Sequence, residues 1–310
     1  MTSGHLSIDV TNLTKRFHAV TAVSDLSFTV RPGSITGFLG PNGSGKTTTM
    51  RMILGLVAPS SGTATIGGRR YRDIPRPSAT VGAVLDASAF HPGHTAREHL
   101  RIYCAMGGYP DRRADELLAV LGLADAANRR TRQFSTGMRQ RLNLATALLG
   151  DPRVLLLDEP SNGLDPEGMA WLRELLRGLA RDGRTILISS HVLSELQQIV
   201  DDVVVIRGGR MVAAGSLEEL ASGTLPPVLL RSPQADQLAT LLKQHAADGL
   251  AASRVEDVEP GRLRVHGLRT EQIADLAARA DVRLYEIGTE ASNLEEWFLS
   301  LGDDRQGENR

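Results

Sequence analysis

The N-terminal part of the chain contains short runs in which apolar and polar residues alternate, a pattern typical of half-buried strands. Residues 6–10 and 26–30 alternate in this way, and the polar residues between them indicate a turn. An apolar strand at residues 35–39 leads into a glycine-rich loop, and a helix is predicted from residue 46 to about residue 56. Small polar residues at 60–62 indicate a further turn. This region is therefore predicted to combine strands with one helix.

The middle of the chain changes to a helical pattern. From about residue 95 to residue 150 the apolar residues recur at helical spacing. Strands resume at residues 154–157, 185–189 and 202–206, with helices between and after them. Because strands that alternate with helices form parallel sheets covered on both faces, the predicted fold class is α/β.

The pattern breaks after residue 222, where Gly223 is followed by Pro226 and Pro227. Glycine and proline interrupt regular structure, so residues 223–227 are predicted to link a first domain, residues 1–222, to a second. The second domain has the order βαββαβ, which is that of the ferredoxin-like unit. Its predicted strands are 228–231, 253–258, 262–266 and 282–287, its helices are 233–245 and 270–279, and a last helix at 292–301 precedes a polar tail at 302–310.

Composition excludes several classes of protein. The chain has 310 residues, which suggests about two domains, and 35 basic against 36 acidic residues give a net charge of -1. Proteins held on nucleic acid by charge usually have a basic excess, so no nucleic-acid partner is predicted. The single cysteine, Cys104, cannot form an internal disulfide, and no apolar run is long enough to span a bilayer. A cytoplasmic protein without membrane spans is predicted.

A phosphate-binding loop is predicted between the strand at 35–39 and the following helix, because residues 40–47 match G-x-x-x-x-G-K-[ST]. Glycines allow successive N–H groups to point at phosphate oxygens, and the helix dipole adds to the attraction. Lys46 is expected to reach the β- and γ-phosphates of ATP, and the Thr47 hydroxyl to ligate Mg²⁺. The alternative is a glycine-rich turn that happens to precede a helix. The residues predicted to bind the nucleotide here are Gly40, Pro41, Asn42, Gly43, Ser44, Gly45, Lys46, Thr47 and Thr48.

Two carboxylates, Asp158 and Glu159, follow the apolar strand at 154–157. Ligands of parallel sheets bind at the carboxyl ends of the strands, which would place both residues beside the phosphate loop. Asp158 is predicted to hold Mg²⁺, and Glu159 to orient and deprotonate the attacking water. The alternative is an acidic turn that caps the next helix.

Phosphate loops occur in kinases, GTPases and helicases, so a further motif must identify the family. Residues 134–141, Phe-Ser-Thr-Gly-Met-Arg-Gln-Arg, resemble the signature motif of the ATP-binding cassette (ABC) ATPases. Four more family elements are matched in order, namely Phe17 as the aromatic residue that stacks on adenine, Asp86 at the Q-loop glutamine, the D-loop at 161–165 with Asp165, and His191 as the switch histidine. The alternative for Phe17 is a residue of the hydrophobic core, and the alternative for His191 is a residue at the start of a helix.

The resemblance spans roughly residues 6–220. It implies an ABC-type P-loop nucleotide-binding domain, made of a RecA-like core, an antiparallel β subdomain and a helical subdomain at about residues 87–150. A small C-terminal α+β domain of ferredoxin-like order, residues 228–301, completes the predicted architecture.

The family resemblance implies that the signature acts on a second copy of the chain. The predicted helix start has N–H groups and a dipole that attract anions. In ABC proteins this surface faces the γ-phosphate bound by the other subunit, so that ATP closes a dimer and hydrolysis opens it. The alternative is ordinary helix capping by Ser135. The signature residues expected to contact the nucleotide are Ser135, Thr136, Gly137 and Met138.

Two positions depart from the family pattern. Thr136 stands where the family usually has glycine, which adds a branched side chain at a place of close approach. Asp86 stands where the family has glutamine, and an ionised carboxylate accepts hydrogen bonds but donates none. Asp86 is expected to act on Mg²⁺ by accepting from metal-bound water, and the alternative is a solvated loop residue.

The predicted function is that of the ATPase subunit of an ABC exporter. A separate membrane permease would supply the transport pathway and bind the helical segment at about residues 87–108. The chain would then lie on the inner face of the plasma membrane, attached only through the permease. The Ser-x-Gly-Met signature, the acidic Q-loop residue and the C-terminal sequence at 293–298 resemble ABC-2 type exporters of drugs, antibiotics or lipid-linked compounds.

The alternative function is that of a non-transport ABC ATPase that acts on nucleic acids or ribosomes. Chromosome and repair types insert long coiled coils between the lysine and the signature, whereas only a short stretch separates Lys46 from Ser135. Ribosome-acting types carry two cassettes in one chain, and one is found here. For the second domain, a role in dimer stabilisation is preferred to ligand binding.

Overall fold

A six-stranded sheet and a three-stranded sheet form the first of two units in the computed structural model, which describes residues 6–85, 90–222, 227–247 and 254–289. The first unit covers residues 1–216 and the second covers 217–310. The strands of the first unit are β1 (Ile8–Phe17), β2 (Val20–Val30), β3 (Ile35–Leu39), β4 (Ser61–Ile66), β5 (Val81–Val84), β6 (Val154–Leu157), β7 (Thr185–Ser190), β8 (Asp202–Arg207) and β9 (Arg210–Ser216). Its helices are α1 (Lys46–Ile53), α2 (Pro77–Thr80), α3 (Ala96–Gly107), α4 (Arg112–Val120), α5 (Thr136–Leu148), α6 (Pro166–Arg181) and α7 (Leu193–Leu196).

The six-stranded sheet has the order β5-β6-β7-β3-β8-β9. Its first five strands run parallel, and β9 pairs antiparallel with β8. The strands β3, β6 and β7 are buried along their whole length, as expected for a parallel sheet covered on both faces. Because β7 lies between β6 and β3, the segments that follow these three strands meet at one edge of the sheet.

The antiparallel sheet has the order β2-β1-β4, and its two long strands correct the predicted turn between residues 10 and 26. The polar residues in that stretch belong to β1 and β2, where their side chains are exposed or half-buried, and the chain reverses only at His18 and Ala19. His18 takes a positive φ of 49°, as tight hairpin turns require. Polar residues on the exposed face of a ribbon resemble a turn in sequence.

The turn predicted at residues 60–62 is also wrong, because β4 begins at Ser61. Gly62 has a φ of 79°, and a Cβ atom there would overlap the backbone of Asn12 in β1. The glycine therefore marks an irregularity in strand pairing rather than a reversal of the chain.

Helix α1 ends at Ile53, three residues before the predicted end. Gly55 follows with a φ of 67°, and its N–H donates to the carbonyl of Met52. A glycine in the left-handed conformation is a common helix terminator, which the apolar pattern alone did not reveal.

The elements of the second unit are α8 (Leu217–Ser222), β10 (Val228–Arg231), α9 (Ala235–Ala247), β11 (Val255–Glu259), β12 (Arg262–Val265), α10 (Thr270–Arg279) and β13 (Glu286–Thr289). After α8 they follow the predicted order βαββαβ, and the four strands form one antiparallel sheet in the order β11-β12-β10-β13. Val228, Leu238, Leu263 and Ile273 contribute to the unit's own core. The last strand is shorter and later than predicted, because Val282 packs into the core through the turn that ends α10. The predicted helix at 292–301 and tail at 302–310 lie outside the described residues.

Strand β6 should be a major contributor to stability, since Leu156 is fully buried in the core of the first unit. We expect Leu156→Ala to lower the free energy of unfolding by about 2–5 kcal/mol, because it leaves a cavity in a close-packed interior. Urea denaturation of the full chain measures this. Val120→Ala, at a side chain 68% exposed, is the control and should change stability by less than about 0.5 kcal/mol. Equal effects of the two variants would contradict the placement of β6.

Candidate active site

The phosphate loop follows β3 and leads into α1, as predicted. A cavity of about 200 Å³ opens on it, lined by Ala22, residues 42–48 and Glu159. A Cβ atom at Gly40 would overlap the carbonyl oxygen of Ile206, and Gly45 has a φ of 107° with Ala22 O at 2.6 Å from any added Cβ. Only glycine fits both positions, so the loop backbone can line the cavity closely.

Lys46 points into this loop and is almost fully buried. Its Nζ donates to the carbonyl oxygens of Gly40, at 2.6 Å, and Pro41, at 3.3 Å. Nζ also lies 3.2 Å from Glu159 Oε1. The two side chains form an ion pair, but the geometry is not that of a hydrogen bond. The buried hydroxyl oxygen of Ser44 has no hydrogen-bond partner among the described residues. A buried cation, a partnerless hydroxyl and a glycine-lined backbone are the surroundings that suit a phosphate group.

Asp158, after β6, is held by two hydroxyl groups. Thr47 Oγ1 donates to Asp158 Oδ2 at 2.6 Å, and Ser189 Oγ donates to Asp158 Oδ1. A carboxylate and a threonine hydroxyl that meet beside a phosphate cavity are oxygen donors of the kind that Mg²⁺ prefers, with substrate phosphates completing its shell. The donor set of this site therefore fits Mg²⁺.

Glu159 adopts a left-handed backbone conformation with a φ of 49°, a strained choice for a residue other than glycine. Its N–H donates to Ser189 Oγ at 2.9 Å, which holds the conformation. Its Oε2 lies 2.8 Å from His191 Nδ1, and the side chain is mostly buried. The carboxylate is thus fixed between the ammonium of Lys46 and the imidazole of His191. Since α6 starts only at Pro166, these acidic residues do not cap it, and that alternative is excluded.

Sequence reasoning missed Ser189, which is fully buried and bonds to both acidic residues. Its hydroxyl group donates to the Asp158 side chain and accepts from the Glu159 backbone. The sequence did indicate one feature of Ser189, namely that it is a polar residue at the carboxyl end of an apolar strand. That strand's position beside β6 is not visible in the sequence.

The signature lies at the start of α5, where Ser135 is the N-cap and its Oγ accepts from Met138 N–H at 3.3 Å. Ser135 and Thr136 are exposed on this unit. The Thr136 methyl group lies against the D-loop, since a Cβ atom at Gly163 would be 2.8 Å from it. The capping by Ser135 that was considered as the alternative is therefore present, and the helix start is also accessible.

Two other predicted residues within the described structure, Phe17 and Asp165, do not line the phosphate cavity. Phe17 is 45% exposed, which excludes a core role, and it pairs with Val20 at the end of the β1–β2 ribbon, near Ala22. Asp165 caps α6 by accepting from Gly168 N–H at 2.8 Å. Asp86 lies outside the described residues. The structure thus brings together Lys46, Thr47, Asp158, Glu159 and His191, and leaves Phe17, Ser135, Thr136, Gly137, Met138 and Asp165 outside this cluster.

Comparison with known proteins identifies the chain. An ABC transporter family profile matches residues 23–162, and a family described as a domain of unknown function (DUF8746) matches residues 226–295. The bacitracin transport ATP-binding protein BcrA of Bacillus licheniformis is 35% identical over 95% of this chain and 96% of its own. The chain belongs to the ABC transporter ATP-binding proteins. As a member of this family it binds ATP and hydrolyses it to power transport.

Other relatives agree with this assignment to the ABC family. The Nod factor export ATP-binding protein I of Rhizobium johnstonii is 34% identical over 96% of both chains. A solved structure described as the ATP binding subunit of an ABC transporter is 29% identical, with a TM-score of 0.63 over 70% of this chain and 92% of that one. Within the described parts of this ABC protein, no helix is long and apolar enough to cross a membrane. The relatives are ATP-binding subunits of transporters, which implies a membrane permease as the partner of this chain.

The bridging hydroxyl of Ser189 gives a testable consequence. Ser189→Ala should lower the free energy of unfolding by about 1–3 kcal/mol, because it leaves the partly buried N–H of Glu159 without a partner. Chemical denaturation followed by circular dichroism measures the loss. Ser194→Ala is the matched control on the same segment, since Ser194 is exposed. A Ser189→Ala protein as stable as the control would show that the bridge does not hold the acidic pair.

Proposed function

We propose that this ABC subunit hydrolyses Mg²⁺-bound ATP with Glu159 as general base and His191 as its orienting partner. The observation that supports this most is the meeting of Lys46, Asp158, Glu159 and His191 at the carboxyl edge of one sheet. Two acidic residues there have separate surroundings, which suits two separate roles. Asp158 is surrounded by hydroxyl groups, whereas Glu159 contacts a cation and an imidazole.

The chain's own groups prepare the site for the triphosphate. The loop N–H groups and Lys46 bind its phosphates, and Phe17, exposed near the cavity, is available to stack on the adenine ring. Thr47 and Asp158 would hold Mg²⁺, with Asp86 accepting from a water in its shell. When bound, the metal ion would neutralise charge on the phosphate oxygens.

Glu159 removes a proton from the attacking water. Engagement of Lys46 with phosphate draws its ammonium from Glu159 Oε1, which leaves this oxygen available to accept that proton. His191 holds the other carboxylate oxygen at 2.8 Å and so fixes the direction in which the base points. General-base assistance of this kind typically contributes about 10²–10⁴ in rate.

A second copy of the chain completes the nucleotide site. The N-terminus of α5 is accessible, so that the signature residues Ser135, Thr136, Gly137 and Met138 can contact the γ-phosphate held by the other copy. Asp165 lies on the D-loop beside them. A charge-assisted hydrogen bond contributes about 1.5–3 kcal/mol, so two per site at two sites give about 6–12 kcal/mol. About 5.5 kcal/mol is enough to move the equilibrium between open and closed dimer from 1:99 to 99:1. Because the contacts to the γ-phosphates contribute more than this, their loss is enough to reopen the dimer.

An apolar groove supports the predicted permease contact. It encloses about 480 Å³, and its lining includes Tyr103 and Met106 of α3 together with Leu56 and Tyr71. Met106 is 77% exposed and Leu56 is 66% exposed. Large apolar side chains exposed around a groove are typical of protein interfaces, so we assign this groove to a segment of the permease. The chain would then be attached to the cytoplasmic face of the plasma membrane through its partner.

The transported compound is proposed from the relatives. Proteins named for bacitracin transport and for Nod factor export match nearly the whole chain. We assign the chain to an exporter of an antibiotic or a lipid-like compound. A nucleic-acid or ribosome role is disfavoured because the described residues 90–150 form three compact α-helices, α3, α4 and α5, rather than a long coiled coil.

Glu159→Gln tests the catalytic proposal. The amide keeps the shape but cannot accept the proton, so hydrolysis should fall by about 10²–10⁴ while ATP binding persists. Size-exclusion chromatography with Mg²⁺-ATP should show a dimer of this variant, and phosphate release gives the rate. Lys46→Ala is the control that should lose nucleotide affinity and remain monomeric. A Glu159→Gln protein that hydrolyses ATP normally, or stays monomeric at saturating ATP, would refute the proposal.

Met106→Glu tests the permease groove. A charge at this exposed apolar position should reduce recovery of the membrane protein that co-purifies with the tagged chain, while ATP hydrolysis by the isolated chain stays normal. Val120→Glu is the matched control, because Val120 is similarly exposed on α4 and does not line the groove. Equal recovery with both variants would contradict the assignment, and recovery of ribosomes or DNA instead of a membrane protein would favour the non-transport alternative.

A further inference from the structure

The carboxylate of Glu195, on the short helix α7, contacts two buried hydroxyl groups. Its Oε2 accepts from Ser161 Oγ at 2.7 Å and from Ser190 Oγ at 3.5 Å. Ser161 is 2% exposed and Ser190 is fully buried. No cation lies within ion-pair distance of Glu195 in the part of the chain that the structure describes. The carboxylate is therefore used as a hydrogen-bond acceptor between two segments rather than as half of a salt bridge.

These two segments are the ones that carry the proposed base and its partner. Ser161 lies just after Glu159 at the start of the D-loop, and Ser190 directly precedes His191. The Ser190 hydroxyl also accepts from the N–H of Val192 at 3.0 Å, so it braces the backbone on the far side of the histidine. Glu195 thus joins the backbones on both sides of the 2.8 Å contact between Glu159 and His191.

The D-loop end of this connection reaches the signature helix. Gly163 lies against the methyl group of Thr136, close to Ser161 along the same loop. A shift of the D-loop would therefore change the position of the signature and, through Ser161 and Glu195, the position of His191. Hydrogen bonds to an ionised acceptor are stronger than those between neutral groups, which makes a carboxylate suited to such a connection.

We infer that Glu195 is a positioning residue, which holds the D-loop against the histidine segment and so keeps Glu159 and His191 aligned for proton transfer. The inference rests on the proposed roles of Glu159 and His191. It adds a residue that makes no contact with the phosphate cavity, whose lining excludes Glu195, Ser161 and Ser190. A residue of this kind affects the rate of the chemical step and leaves nucleotide binding unchanged.

The full chain with Glu195→Ala tests the inference through the split between kcat and KM. We expect kcat for ATP hydrolysis to fall about tenfold to a hundredfold, because small misplacement of a catalytic group has effects of this size. Affinity for a fluorescent ATP analogue and KM should stay within about twofold, since the phosphate loop is untouched. Glu195→Gln, whose amide oxygen still accepts from Ser161, should recover most of the lost kcat.

A double-mutant cycle shows whether Ser161 and Glu195 act through one contact. If they do, Ser161→Ala should lower kcat, and the double variant should be little worse than Glu195→Ala alone. Asp115→Ala is the control, because Asp115 accepts a 2.7 Å bond from Arg97 in the helical subdomain, away from the acidic pair. This control should keep kcat. If Glu195→Ala fails to fold, Glu195→Gln and Ser161→Ala carry the comparison.

The outcomes separate this inference from the proposed function. Normal kcat in Glu195→Ala, a loss that appears only in KM, or additive effects in the cycle would overturn the positioning role. None of these results would affect the Glu159 assignment. Normal hydrolysis by Glu159→Gln would instead overturn the catalytic proposal itself. A low kcat in Glu195→Ala with unchanged affinity, recovery in Glu195→Gln and a non-additive cycle would support the inference.

Discussion

The arrangement of Asp158 and Glu159 depends on the two hydrogen bonds of one hydroxyl group, that of Ser189. It donates to the side chain of Asp158 and accepts from the backbone N–H of Glu159, so neighbouring residues receive different constraints from one atom. The left-handed backbone at Glu159 turns its side chain to His191, while Asp158 remains with Thr47. The parallel sheet supplies the geometry, because it places the ends of β6 and β7 side by side.

Charge in the site is arranged so that the arrival of a phosphate redistributes it. Lys46 is almost fully buried and shares its ammonium between loop carbonyl oxygens and Glu159. Burying a cation without partners is costly, and these oxygens keep it in place. A triphosphate offers the same ammonium a more highly charged acceptor. In the mechanism that we propose, Lys46 would therefore leave Glu159 when phosphate occupies the loop, so that the base is held less tightly once substrate is bound.

Local motifs were predictable from the sequence, and contacts between distant segments were not. The bounds of β3 and β6 and the positions of Lys46 and Thr47 beside the cavity follow from the sequence, since a phosphate loop fixes its residues within a few positions. Ser189 and Glu195 act across strands and loops that are far apart in the chain, and a single sequence gives no pairing of strands. Turns were predicted at the polar residues of β1 and β2 and at Gly62, which marks a pairing irregularity. Exposed polar residues and glycines occur both in turns and in exposed or irregular strands, so the sequence alone does not distinguish the two.

Capping of α5 by Ser135 is compatible with the phosphate contact that we propose for the same helix start. An α-helix leaves its first N–H groups without helical partners, and Ser135 satisfies only that of Met138. The next N–H along, that of Arg139, bonds to the Ser135 carbonyl. The N–H groups of Thr136 and Gly137 therefore remain at an accessible surface with the positive end of the helix dipole. A cap that stops short of closing the helix end leaves room for an anion from outside, and Thr136, in contact with Gly163, links that surface to the D-loop.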